Sequence, residues 1–314
     1  MRNLAQILAL IGLALLMGCQ GQDGGGIQGV SAAVTPFERQ MSRGEYLFRL
    51  SGCVQCHTQS PAQPLAGGYA LKTQFGIFYS PNITPAQTGL AKWQESDFVK
   101  ALREGISPAG SPYYPAFPYS NYTKLTDQDL HELWLYLRSQ PPIERANQAH
   151  DLSFPYNIRE LNHVWRFFNF KSECEDAGPF GCLKAKGAYQ AVASKSTEWN
   201  TGAYLVEGVL HCTQCHTPRD SLGGLKTNQW MAGAHLFGEK YPAPNLTPDP
   251  TTGLGTWQNQ DFVSFFKTGL DLSGDPVGGE MARVIRLETA LLTDGDLAGV
   301  IAYLRDLPAV TNNP

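Results

Sequence analysis

Leu130, Leu133, Trp134 and Leu137 stand at positions i, i+3, i+4 and i+7, and Leu297, Val300, Ile301 and Leu304 repeat the spacing. Apolar side chains so placed share one face of a helix, so both stretches are predicted to be amphipathic helices with a buried stripe. Each follows a Thr-x-x-Asp sequence, Thr126 to Asp129 and Thr293 to Asp296. There a threonine hydroxyl caps the helix and an acid stands in its first turn. Pro141 and Pro308 lie just past the last apolar positions and mark the ends. A third pattern, Tyr46, Leu47 and Leu50, predicts a helix running into residues 53–57. The intervening stretches are rich in Pro, Gly and Asn, and alternation of period two is scarce, so ordered loops are expected there and not strands. The expected class is all-α. Helices so few, joined by loops so long, are short of a core of their own, and a large apolar cofactor in each unit would supply one.

The helical ends are parts of a duplication. Tyr46-Leu47 answers to Tyr204-Leu205, LAGG at 65–68 to MAGA at 231–234, and KLTDQDLHELWLYLRSQP at 124–141 to LLTDGDLAGVIAYLRDLP at 291–308. SPNITPAQTGLAKWQESDF at 80–98 answers to APNLTPDPTTGLGTWQNQDF at 243–262, with one residue inserted. From Gly89 to Gly105 the offset is 164, which takes Trp93 to Trp257, Phe98 to Phe262 and Gly105 to Gly269.

The amino terminus, MRNLAQILALIGLALLMGC, has a positive start, an apolar run and small residues, and reads as an export signal over residues 1–18. Leu16-Met17-Gly18-Cys19 resembles a bacterial lipobox, so Cys19 is the expected lipidation site, with residues 19–35 as a glycine-rich tether. Gln20 in place of aspartate points to the outer membrane, on the periplasmic side. The formal net charge is −4 and no basic block occurs, which argues against nucleic acid as a partner. Of seven cysteines, four lie in CVQCH (Cys53, Cys56) and CTQCH (Cys212, Cys215). Cys174 and Cys182 remain, close together in SECEDAGPFGC, and in an exported chain an oxidised pair is expected.

CxxCH sets two thiols about one helical turn apart, at the spacing of the two vinyl groups of a haem, with a histidine placed to ligate the iron. Zinc would need grouped further ligands, and a thioredoxin-like site a βαβ setting; neither is found. Two covalent c-type haems are expected, on Cys53 and Cys56 and on Cys212 and Cys215, with His57 and His216 as proximal ligands. A sixth ligand is commonly a methionine ahead of the terminal helix, and Met281 stands there. At the offset of 164 its counterpart is Phe117, in YYPAFPYSNY. A phenyl ring has no lone pair for iron. Haem 1 is therefore expected to be open or weakly ligated at its distal position, with Tyr113, Tyr114, Tyr119, His150 or His163 as the alternatives; His131 reads as a surface residue.

GEYLFRLSGCVQCHT, YSPNITP, YPAFPYSNYTKLTDQDL, FPYNIR and KSTEWNTGAYLVEGVLHCTQCHTPRDSLGG together resemble the multihaem cytochrome c subunit of membrane-bound quinoprotein alcohol dehydrogenases and its gluconate and aldehyde dehydrogenase relatives. The similarity runs from about residue 36 to the end. It implies two tandem class I cytochrome c-like domains with long ordered loops, at 36–143 (haem 1) and 197–314 (haem 2), joined by a linker at 144–196 that holds the cysteine pair. It also implies electron transfer from a periplasmic dehydrogenase towards an acceptor in the respiratory chain, with no catalysis by this chain alone. Three features depart from the family pattern: two haem units in place of three, the CEDAGPFGC insertion, and Pro-Ala-Phe-Pro-Tyr where the family has Pro-Ala-Met-Pro-Tyr. The alternative function is a haem enzyme or small-ligand sensor, peroxidase-like, using an open distal site at haem 1.

Overall fold

The computed structural model describes residues 41–170, 177–178, 181–182, 186–236 and 241–314. The export signal, Cys19, the tether and Cys174 lie outside the described residues, as does the side chain of Cys182.

Each repeat is built from a helix leading to the CxxCH segment, a long loop, a middle helix, and a terminal helix that packs on the first. In repeat 1 these are α1 (Arg43–Leu50), α2 (Cys53–His57), α3 (Glu95–Glu104), the single turn α4 (Tyr119–Tyr122) and α5 (Asp127–Arg138). The linker contributes α6 (Leu161–Asn169). Repeat 2 has α7 (Thr197–Tyr204), α8 (Thr213–His216), α9 (Asn259–Thr268), α10 (Gly279–Leu287) and α11 (Asp294–Arg305). The caps are those the sequence predicts. Thr126 Oγ1 accepts from the Asp129 amide and Thr293 Oγ1 from the Asp296 amide, each at 3.1 Å. The stripe Leu130, Leu133, Trp134 and Leu137 is buried, as is Leu297, Val300, Ile301 and Leu304.

Glycine permits the first and terminal helices to cross closely. A Cβ on Gly44 would overlap the carbonyl of Glu132, and one on Gly202 the carbonyl of Gly299. These are equivalent places in the two repeats.

The expectation of an all-α protein of two tandem domains is corrected in two respects. First, the chain holds a three-stranded antiparallel sheet in the order β1 (Ala70–Thr73), β2 (Gly76–Tyr79), β3 (Asp151–Leu152). A short ribbon of β4 (Ala177–Gly178) and β5 (Gly181–Cys182) lies in the linker. The β1–β2 hairpin turns at Gln74-Phe75 and uses Gly76 at φ 120°, while β2 takes Asp151 and Leu152 of the linker on its other edge. Strands of two to four residues are too short to display alternation, and β3 exists because β2 offers it a hydrogen-bonding edge. Second, Met41–Pro314 forms one compact unit with one continuous core, in which Leu47, Leu125 and Leu133 of repeat 1 join Leu205, Val206 and Leu297 of repeat 2.

One difference between the repeats is absorbed locally. Tyr46 stands seven residues before Cys53, but Tyr204 stands eight before Cys212. Leu205–Val209 takes up the extra residue as a π-helical turn. Counted from the tyrosines, the exposed Arg49 then corresponds to the buried Glu207.

Candidate functional site

Cys53, Cys56 and His57 lie together on α2, where the i, i+3, i+4 spacing keeps them on one side. In repeat 2, Cys212 caps α8, which carries Cys215 and His216. His57 Nδ1 lies 2.8 Å from the carbonyl of Pro81, and His216 Nδ1 lies 2.8 Å from that of Pro244. A ring that donates from Nδ1 keeps its proton there, so Nε2 is left with the lone pair a metal needs. Burial lowers the pKa of both histidines, which holds them neutral.

The carbonyls that orient the rings are themselves fixed. Asn82 Nδ2 donates to the Ile143 carbonyl at 2.7 Å, while Asn82 Oδ1 accepts from the Thr84 amide at 2.9 Å. Asn245 does the same to Val310 and Thr247, at the same two distances. Each Pro-Asn-x-Thr segment is thus tied to the chain beyond its terminal helix. Sequence reasoning did not assign these two asparagines, although their identity in both repeats was visible as PNITP and PNLTP.

Whether the residues fit a haem can be tested on the walls. Ile83, Trp93, Val99 and Phe117 in repeat 1 pack on the core yet are only half buried, and so are their counterparts Leu246, Trp257, Val263 and Met281 in repeat 2. Each repeat therefore keeps a set of half-exposed apolar side chains on its core, at matching positions. Cys53 and Cys212 are half-buried, and loss of water around them pushes each thiol up to about 12. Two thiols, an oriented neutral imidazole and an apolar wall fit a covalently held haem.

Phe117 precedes the single turn α4, whereas Met281 lies on α10, and the backbone leading to the two is alike. Gly105 and Gly269 end the preceding helices in the left-handed region, at φ 63° and 76°. Each carbonyl then accepts an amide eight residues on, from Tyr113 and from Val277, at 2.8 Å. The offset of 164 therefore holds to within four residues of Phe117 and Met281. Phe117 is ringed by aromatic groups, with centroids 5.6 Å from Tyr113 and 5.7 Å from Tyr122.

The other side chains considered for haem 1 are engaged elsewhere or held neutral. His150 Nδ1 accepts from the Tyr79 amide at 3.2 Å, and His131 Nδ1 lies 2.8 Å from Glu95 on the surface. His163 is exposed on α6. Burial pushes the Tyr113 and Tyr119 phenols up to about 12, and it raises Tyr114 as well.

Each CxxCH segment touches the opposite repeat across the seam. Gln55, in the first motif, donates to Glu288 of repeat 2, and Gln214, in the second, donates to Asn121 of repeat 1. Cys215 is among the charges that act on Cys56, after burial and Glu288. Tyr46 Oη donates to Asp296 at 2.6 Å, and Tyr204 Oη donates to Asp129. Each repeat's first helix thus reaches the cap of the other's terminal helix.

The cytochrome c family model matches residues 41–141, the whole of repeat 1's helical unit. A diheme cytochrome c-type protein of Cereibacter sphaeroides is 36% identical over 277 residues, which cover 86% of this chain and 87% of that protein. The chain belongs to the cytochrome c family. Other relatives of this cytochrome are named as dehydrogenase subunits. The fructose dehydrogenase cytochrome subunit of Gluconobacter japonicus is 35% identical over 273 residues, 86% of this chain and 53% of its own length. The cytochrome c subunit of the quinone alcohol dehydrogenase of Gluconobacter oxydans is 34% identical over 290 residues, 90% and 58% respectively. The chain thus spans little more than half the length of those two subunits. Membership carries with it a covalently attached c-type haem, and the names carry electron transfer for dehydrogenases. They give no support to the peroxidase-like alternative.

Proposed function

We propose that this cytochrome carries two haems and passes electrons from a periplasmic dehydrogenase towards the respiratory chain. Haem 1 is held by Cys53, Cys56 and His57, and haem 2 by Cys212, Cys215, His216 and Met281. When bound, each haem supplies a one-electron ferric–ferrous couple. The observation that carries the reading is the equivalence of the two sites, down to the Pro81 and Pro244 carbonyls that set the imidazole rings.

The chain's own part is to hold, orient and shield. The cysteines fix each haem covalently, and the histidines ligate through Nε2. The half-exposed apolar side chains keep water from the iron, which favours electron exchange over chemistry on a bound substrate. Pro115, Ala116, Phe117 and Pro118 supply neither a distal base nor a polar donor, as peroxide cleavage would require. The crossing contacts of Gln55 and Gln214 tie each attachment segment to the opposite repeat, a suitable arrangement for electrons to move between haems.

The reading includes export by residues 1–18, a lipid at Cys19, a disulfide between Cys174 and Cys182, and a place on the periplasmic side of the outer membrane. Acid–acetone extraction of the denatured protein should leave haem absorbance equivalent to two per chain, and Cys212→Ala with Cys215→Ala should leave one. Release of either haem from the native chain would falsify the assignment. Cys19→Ser should move the haem-loaded protein into the soluble periplasmic fraction; retention with membranes in high salt, in the absence of partners, removes the anchor.

A further inference from the structure

Glu288 closes the turn between α10 and α11 and is only 2% exposed. Its carboxylate accepts from the side-chain amide of Gln55, the residue before Cys56. It acts electrostatically on Cys53 and Cys56 and on Cys212, so one carboxyl of repeat 2 lies within electrostatic reach of attachment cysteines of both sites. A Cβ built on Gly52 would stand 3.0 Å from Glu288 Oε1 and 3.2 Å from His211 Nε2, which places His211 at the same spot.

The groups facing this carboxyl are few. From α10 comes Arg283, whose guanidinium is engaged with Glu280 at 3.0 Å, with the Gln55 carbonyl at 3.3 Å and with Tyr69 Oη at 3.2 Å. From α4 comes the buried Tyr122, which donates to the Ser51 carbonyl at 2.6 Å. Cys53 and Cys56 on α2, and His211 and Cys212 ahead of α8, complete the set. Among the described residues no cation stands within ion-pair distance of Glu288. A carboxylate in such a place has one neutral donor and little water. Burial raises its pKa well above the ordinary range.

We infer that Glu288 couples a proton to electron transfer at this seam, taking one up when an adjoining haem is reduced and releasing it on oxidation. The inference rests on the two-haem reading. The exchange balances: one electron from the donor turns ferric iron ferrous, and one proton from solvent joins a Glu288 oxygen. No bond to iron forms or breaks. Reduction removes one positive charge beside the carboxylate, which favours its protonated form. No such role attaches to the equivalent site of repeat 1, because Gln214 there meets the amide of Asn121 and not a carboxylate.

Redox titration of the haem-loaded protein, followed by visible absorbance from about pH 5 to 9, tests this. A fully coupled proton lowers the potential by about 59 mV per pH unit, one tenfold change in proton concentration for a one-electron couple. The native protein should show a falling potential over part of the range, and Glu288→Gln should make that stretch flat. Gln55→Leu, which removes the donor to the carboxylate, should keep the slope and move its window to higher pH. Infrared difference spectra, reduced minus oxidised, should contain a protonated-carboxyl band that Gln55→Leu shifts; this reading stands even if Glu288→Gln does not fold. A slope that survives in Glu288→Gln overturns the inference, as does its loss in Glu207→Gln instead, or the absence of any carboxyl band. Two retained haems with pH-independent potentials would sink Glu288 alone, whereas loss of a haem on extraction would sink the two-haem reading beneath it.

Discussion

On the proposed two-haem reading, Phe117 answers to Met281 at the offset of 164, and of the two only methionine carries a lone pair for iron. A thioether ligand raises haem potential, and axial-ligand choice spans about 0.8 V across haem proteins. Haem 2 should therefore be the high-potential, low-spin centre. Haem 1, with a phenyl lid and no thioether, should sit lower. The oxidised protein should show the methionine–iron charge-transfer band for one haem, and Met281→Ala should abolish it. Phe117→Met should create a second band and raise the lower potential. Two such bands in the native protein would show that the offset of 164 misplaces the ligand. The pairing was legible because side-chain identity is written in the sequence. The Pro81 and Pro244 carbonyls were not, since every residue has a carbonyl and only the folded loop aims one at a ring.

At the scale of elements, the terminal helices were readable from apolar spacing and caps because those signals are local. The crossing of α7 with α11 was not, as it depends on two helices meeting where Gly202 and Gly299 leave room. Gly202→Ala should therefore force the helices apart. The expected cost is about 1–3 kcal/mol, the range for overpacking a tight contact. Chemical denaturation of the haem-loaded protein would measure it, and a change below about 0.5 kcal/mol, the size of an ordinary surface substitution, would contradict the close approach. The strands escaped notice for a related reason. Two to four residues carry no period, and β3 is extended because β2 lies beside it.

Across the whole molecule, the seam is where the repeats cease to be copies. Glu207, buried by the π-helical turn, accepts from Tyr303 Oη at 2.7 Å and offers its backbone carbonyl to Asn121 of repeat 1. Burial raises its pKa from 4.5 to about 7, against the opposing pull of Tyr303 and Lys124. The folded protein thus binds more protons than the unfolded chain between those two values. Its contribution to stability is fully present below about pH 4.5, is lost as pH rises towards 7, and is level above. At about 1.4 kcal/mol per unit, the change is at most about 3.5 kcal/mol. Glu207→Gln should accordingly gain stability relative to the native protein as pH rises through this window. Unfolding midpoints in denaturant at pH values on either side would show it, and parallel curves would refute it.

What the sequence determined by itself was the duplication, the capped helices, the two CxxCH sites and the contrast of Phe117 with Met281. All of these are recorded in residue type and spacing along one chain. What only the tertiary structure decided was the sheet edge that recruits the linker and the carbonyls that orient His57 and His216. It also decided the exchange of Tyr46 and Tyr204 between helix caps, and the shared core that merges two repeats into one unit. These arise where segments far apart in sequence come together, as with Tyr46 and Asp296, 250 residues apart. Contacts of that kind follow from how buried surfaces fit, and neither partner's sequence announces them.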